Sequence, residues 1–214
     1  MFAERHPLYD TYKSLRAGIY TIEGIIGCGK TTLGKDIEQF LNEIGISAKF
    51  FPEYVNEKLL QQYINNMKKY AYGFQLVMLF KRIEIYREAE RFAATGNVAI
   101  IDRSLLGDMT FAEMQKINGN FTTEEWDTYL AVVKQEIQLT PTASIYLKCS
   151  PEIALRRINK RGIKAEIGGY TLQYLEQLHT AYEIAIGNCG NVKHIIVDWN
   201  SDDKNVTDIL NLLV

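Results

Sequence analysis

Five short apolar runs rich in β-branched residues lie at 18–23, 48–51, 98–101, 143–147 and 194–197. Each is nearly continuous in hydrophobicity, not alternating, the pattern of strands covered on both faces in a parallel sheet. Between them, apolar positions recur with a helical period. Residues 30–44 carry Leu33, Ile37, Phe40, Leu41 and Ile44 on one stripe, and residues 71–94 hold the longest helical pattern. A helix over 122–138 opens with the capping box Thr122-Thr123-Glu124-Glu125. Ser150 and Pro151 supply a cap and a first-turn proline for another. This alternation predicts an α/β three-layer fold with a five-stranded parallel sheet and right-handed crossovers. No repeat, linker or low-complexity tract interrupts the 214 residues, so one domain over 1–214 is expected.

Composition narrows the class without naming the chemistry. Hydrophobic residues at 47% and charged residues at 23% exclude a disordered or fibrous chain. The 24 basic and 26 acidic side chains nearly cancel, so the basic footprint of a nucleic-acid binder is missing and no polymer partner is expected. No apolar run is long enough to span a membrane, and Met1 to Pro7 lacks the apolar core of a signal peptide. Cys28, Cys149 and Cys189 are few and scattered, which fits reduced thiols in the cytoplasm better than a disulfide or zinc framework.

Chemistry enters directly after the first apolar run. Gly24-Ile25-Ile26-Gly27-Cys28-Gly29-Lys30-Thr31, followed by Thr32, matches G-x-x-x-x-G-K-[ST] between a strand and a helix. Glycines there let backbone N–H groups cradle phosphate oxygens, and the helix N-terminus adds its partial positive charge. Lys30 is positioned for the β- and γ-phosphates of ATP, and the Thr31 hydroxyl for Mg²⁺. The guanine-reading N-K-x-D of a GTPase is not matched, since Asn159-Lys160-Arg161-Gly162 has no aspartate. A small-molecule kinase is the economical reading.

Three further stretches fit that reading. Glu53 follows the second strand, where a carboxylate faces the ligand crevice and can act as general base. Taken alone, it reads first as a solvated loop residue. Asp102 ends the third strand as a Walker-B-like carboxylate near Mg²⁺, and Arg103 beside it is expected to hold Glu53 or a phosphate. Arg157 and Arg161 share one helix face and precede Gly162, Gly168 and Gly169. They form either an Arg-rich lid over the transferring phosphoryl or a solvated helix end.

Together the phosphate loop, Pro52-Glu53-x-Val55, Phe74-Gln75, Asp102-Arg103-Ser104, Arg157-x-x-x-Arg161-Gly162 and Tyr174-Leu175-Glu176-Gln177-Leu178-His179 resemble the deoxyribonucleoside kinases. The Asp-Arg-Ser form is closer to bacterial and large-virus members than to animal ones. The resemblance implies a P-loop kinase that moves the ATP γ-phosphate to the 5′-hydroxyl of a deoxynucleoside, in a homodimer. It implies Glu53 as general base, held by Arg103, with Lys30, Arg157 and Arg161 on the phosphates. Gln75 is then the amide that reads the base, Phe74 an aromatic wall, and Ile26 a further acceptor contact. Tyr63 and Glu166 fall near the pair that grips the sugar 3′-hydroxyl, although Tyr63 sits one residue too far from Gln75. Arg82 and Asp108 match a pair that accompanies deoxycytidine or purine deoxynucleosides, not thymidine. Segments 105–117 and 126–137 are the candidates for a subunit interface. Two other readings stay open: a thymidylate-type kinase on the same fold, and a non-enzymatic nucleotide switch. The first usually has arginine just before the second-strand glutamate, where this chain has Phe51-Pro52.

Overall fold

The computed structural model describes residues 6–136, 138–201 and 203–214. Most of the N-terminal stretch read for a leader, and Ile137 at the end of segment 126–137, lie outside the described residues. All five expected strands form: β1 (Gly18–Glu23), β2 (Ala48–Phe51), β3 (Val98–Asp102), β4 (Ala143–Lys148) and β5 (His194–Asp198). They pair entirely in parallel, in the order β2-β3-β1-β4-β5. Gly18 lies opposite Val98 and Tyr20 opposite Ala143, so β1 is the central strand. The chain fills one side of β1 with β2 and β3 and then crosses to the other with β4 and β5. That reversal opens a crevice beyond the C-terminal ends of the strands.

Nine helices connect and cover the sheet among the described residues: α1 (Tyr9–Tyr12), α2 (Lys30–Glu43), α3 (Glu57–Asn65), α4 (Met67–Ala93), α5 (Leu105–Ile117), α6 (Thr123–Gln135), α7 (Pro151–Arg161), α8 (Leu172–Asn188) and α9 (Val206–Leu210). The expected caps are made. Thr122 and Glu125 complete the capping box of α6, and Ser150 accepts from the Ile153 N–H at the start of α7. Helix α4 begins four residues before the periodic pattern predicts. The Asn66 side chain accepts from the Lys69 N–H and starts α4, while Asn66 also closes α3. A single residue thus separates two helices, too short a break for hydrophobic periodicity to register.

The core lies on both faces of the sheet. Ile22, Ile100, Ile101, Ile145 and Leu147 are fully buried, which accounts for the continuous apolar runs of their strands. Helix α2 approaches β2 through Gly34. A Cβ there would stand 2.2 Å from the Phe50 ring, so the contact requires a hydrogen at that position. Gly34→Ala should destabilise the protein by about 1–3 kcal/mol through overpacking, despite the better helix propensity of alanine, and urea denaturation would measure the loss.

Candidate active site

Gly24, Gly27 and Gly29 all adopt positive φ, at 141°, 80° and 107°. The loop therefore curls at the end of β1 and delivers Lys30 as the first residue of α2. A side chain at Gly27 would meet the Ala154 carbonyl oxygen at 2.6 Å, because α7 passes directly over the loop. The Ile25 and Cys28 side chains are buried beneath it. The Lys30 ammonium donates to the Ile25 carbonyl at 3.2 Å and stands 4.0 Å from Asp102 Oδ1. The Thr31 hydroxyl donates to Asp102 Oδ2 at 2.8 Å. Asp102 Oδ1 is buried with no hydrogen-bond partner, an arrangement that leaves one hard oxygen ready for a cation beside the Thr31 hydroxyl. The described residues hold no group of three or more His, Cys, Asp and Glu able to bind a metal by themselves.

Two cavities meet at this loop. The larger, about 570 Å³, is lined by Gly27 to Leu33, Arg157, Lys160, Arg161, Trp199 and Lys204, among others. Thr32 belongs to this lining. The smaller, about 250 Å³, is bounded by Ile26, Glu53, Phe74, Gln75, Arg82, Asp102, Arg103, Glu166 and Tyr170, among others. Gly27, Lys30, Thr31 and Arg161 border both. A group transferred between occupants of the two cavities would cross at these four residues.

Glu53 is the anionic centre of the smaller cavity. Arg82 Nη2 donates to its Oε1 at 2.9 Å, and Arg103 Nε stands 3.2 to 3.3 Å from its two oxygens. Burial opposes ionisation of this carboxyl, yet the charges of Arg103, Arg82 and Lys30 outweigh it and hold its pKa at about 2. Arg103 has a φ of 70°, rare for a side chain with a Cβ, and this turns it back over the end of β3. Its guanidinium also donates to the Gly24 carbonyl and to the Tyr182 hydroxyl, and lies 4.8 Å from the Phe111 ring centroid. The Tyr182 hydroxyl reaches Glu23 Oε2 at 3.3 Å, and Glu23 Oε1 accepts from the Ser104 N–H and hydroxyl. Burial raises the Glu23 pKa against the lowering effect of these hydrogen bonds.

One wall of the smaller cavity comes from α4. Gln75 lines the cavity while its Nε2 donates to the Asp108 carbonyl at 3.1 Å. Its amide oxygen and second N–H remain for another partner. Arg82 Nε donates to Asp108 Oδ1 at 3.0 Å, and the Tyr129 hydroxyl to Asp108 Oδ2 at 2.7 Å. Asp108 is fully buried behind Arg82 and does not itself border the cavity. The expected Arg82–Asp108 contact is thus present, locked from behind by a tyrosine.

Tyr63 sits apart from its expected place, while Arg157 borders the larger cavity as expected and is also tied to backbone. Tyr63 stacks on Phe74 at 4.6 Å, but its hydroxyl bonds to the Tyr174 hydroxyl and the Gln115 amide, away from the cavity. Arg157 donates to the Cys28, Trp199 and Ser201 carbonyls, tying the phosphate loop to the segment after β5. Glu166 does border the smaller cavity and pairs with Arg161. Sequence reasoning missed Glu23, Tyr129, Tyr170, Tyr182 and Trp199. Only Glu23 carries a local signal, as a carboxylate ending an apolar strand next to the glycine loop.

Comparison with known proteins agrees with this architecture. The family model described as deoxynucleoside kinase matches residues 20–212. The deoxyadenosine kinase of Dictyostelium discoideum is 29% identical over 191 residues, covering 88% of this chain and 75% of that protein. Putative kinase protein 029R of Invertebrate iridescent virus 3 is 31% identical over 185 residues, covering 85% of this chain and 88% of that protein. Among solved structures, deoxyadenosine kinase from M. mycoides with bound dATP superposes with a TM-score of 0.74 at 26% identity, over 90% of this chain and 96% of that one.

The charge environment of Glu53 has a measurable consequence. Its folded pKa lies below the ordinary value of 4.5, so its contribution to stability is present above that value and is lost as pH falls through about 2. Glu53→Gln should therefore flatten the dependence of unfolding free energy on pH within that acid window, as measured by urea titrations at successive pH values.

Proposed function

The chain belongs to the deoxynucleoside kinase family, and from that membership we propose that it transfers the γ-phosphate of ATP to the 5′-hydroxyl of a deoxynucleoside for nucleotide salvage. The observation that carries this reading is the meeting of the two cavities at Lys30, Thr31, Gly27 and Arg161, with Glu53 on the acceptor side. The larger cavity takes ATP on the glycine loop and Thr32, and the smaller takes the nucleoside. Glu53 is ionised at neutral pH and receives the 5′-hydroxyl proton as the new P–O bond forms. Arg103 and Arg82 fix the direction of its carboxylate. Lys30 and Arg161 stabilise charge on the phosphoryl oxygens at the junction. Arg157 borders the ATP cavity and also holds the loop in shape through the Cys28 carbonyl.

Mg²⁺ fits the oxygens at the junction. Thr31 and Asp102 would hold it, Asp102 through its unpartnered Oδ1. Bound there with the nucleotide phosphates, it would supply charge neutralisation on the triphosphate. On the acceptor side, Gln75 pairs with the nucleobase edge, Phe74 and Ile26 pack against the ring, and Arg82 with Asp108 favours deoxycytidine or purine deoxynucleosides over thymidine.

In the same proposal the enzyme is a cytoplasmic homodimer of one-domain subunits, with segments 105–117 and 126–137 as the expected interface. Among the described residues no helix is long and apolar enough to cross a membrane.

A substrate panel tests the reaction. ADP release should follow addition of deoxyadenosine, deoxyguanosine or deoxycytidine with ATP, and turnover with dTMP alone would overturn the proposal in favour of a monophosphate kinase. Glu53→Ala should lower kcat by about 10²–10⁴-fold while ATP binding, followed by calorimetry, stays close to that of the unaltered protein. Arg82→Met combined with Asp108→Ala should raise the kcat/KM ratio of thymidine to deoxycytidine by about tenfold or more, because two buried polar groups that favour one base edge are removed.

A further inference from the structure

Arg103 is the single residue other than glycine with a positive φ among the described residues, at 70°. A side chain with a Cβ stays in that region only where its surroundings over-determine it. The Arg103 N–H donates to the Ile22 carbonyl at 3.0 Å. The remaining restraints come from β1 and α8, from two side chains to which the reaction assigns no part.

Glu23, the last residue of β1, is fully buried and grips Arg103 from both ends. Its Oε1 accepts from the Ser104 N–H at 2.6 Å and from the Ser104 hydroxyl at 2.7 Å, which holds the backbone directly after the turn. Its Oε2 accepts from the Tyr182 hydroxyl at 3.3 Å, and that hydroxyl accepts from Arg103 Nη1 at 2.7 Å. The fully buried Tyr182 ring stacks on Tyr146 at 5.9 Å and meets Phe111 edge-on at 6.3 Å, so its hydroxyl has a fixed place. Helix α5 leaves room for these groups only through Gly107. A Cβ there would stand 2.5 Å from Glu23 Oε2 and 2.8 Å from the Tyr182 hydroxyl. Neither Glu23 nor Tyr182 borders either cavity, so neither can touch an occupant.

We propose that Glu23 and Tyr182 are positioning residues of the phosphoryl transfer: they hold the Arg103 guanidinium with its Nε toward Glu53, and so aim the Glu53 carboxylate at the acceptor hydroxyl. Position 23 calls for a carboxylate, whose two oxygens accept from all three donors, whereas a glutamine amide offers one oxygen and brings two N–H groups. This assignment rests on Glu53 as the general base of the reaction given above.

Tyr182→Phe removes one oxygen and keeps the ring in its stack. With ATP and the deoxynucleoside turned over fastest, kcat should fall about tenfold, the effect of one lost hydrogen bond to a charged group, while the Kd of each ligand by calorimetry changes less than about twofold. Glu23→Gln should give the same pattern. In a Glu53→Ala background, adding Tyr182→Phe should change the residual rate by less than about twofold, because the two side chains act through Glu53. An unchanged kcat in Tyr182→Phe, a weakening of both ligands as large as the fall in kcat, or a full further loss in the double variant would overturn the assignment. If Glu53→Ala itself keeps full turnover, the general-base reading is wrong and the positioning role falls with it.

Discussion

Arg82 and Arg103 are both almost fully buried at the edge of the sheet, and the Glu53 carboxylate lies between them. Two buried cations are tolerable only where anions and hydrogen-bond acceptors meet them with good geometry. Asp108 answers Arg82 from α5, and Tyr129 on α6 fixes Asp108 in turn. Arg103 is met by Glu53, by the Gly24 carbonyl and by Tyr182 on α8, which links onward to Glu23 at the end of β1. One charge network therefore joins β1, the segments following β2 and β3, and helices α4, α5, α6 and α8. Removing one of its charged members strands a buried charge, which typically costs about 3–5 kcal/mol. The same constraint that orders these elements also sets the electrostatics of the smaller cavity.

The fold was legible because its strands are covered on both faces. Continuous apolar runs such as 98–101 announce a parallel sheet, and the glycine loop fixes which strand comes first at the crevice. The residues that repeat a local pattern were legible too: Lys30 and Thr31 by their place after the glycines, and Asp102 by closing an apolar strand. Other features depend on contacts between elements distant in sequence. Whether Glu53 is solvated or clamped is decided by Arg82, on a helix that begins well after it. Tyr63 leaves its expected place because α8 brings the Tyr174 hydroxyl to it, while Tyr170, which no motif marks, lines the cavity. Helix α3 escaped notice because Asn66 ends it and starts α4 at once. Cys28, ambiguous in the sequence, has a fully buried thiol in the fold.

The two arginines of α7 illustrate how one motif divides into two tasks. Arg157 is occupied by three backbone carbonyls and serves as a strap across the phosphate loop. Arg161, one turn later on α7, borders both cavities and is held by Glu166 on the side of the smaller one. Arg161 gives one nitrogen to Glu166 and keeps other donors for the cavities it borders, whereas Arg157 is tied to the loop. A shared helix face gave the two residues equal standing in the sequence; their partners separate them.

The position of β1 bears on how the chain reaches this state. Its neighbours on the two sides are β3 and β4, so Gly18 must find Val98 and Tyr20 must find Ala143. Contacts between such distant parts of a chain form slowly, since each closes a large loop. During synthesis, the first strand to emerge keeps one edge unpaired until residues 98–102 have been made, and the other until residues 143–148 follow. An apolar strand with bare edges is a template for pairing with another chain. The central location that makes β1 a rigid base for phosphate chemistry also makes it the segment most exposed to misassembly while the protein is being built.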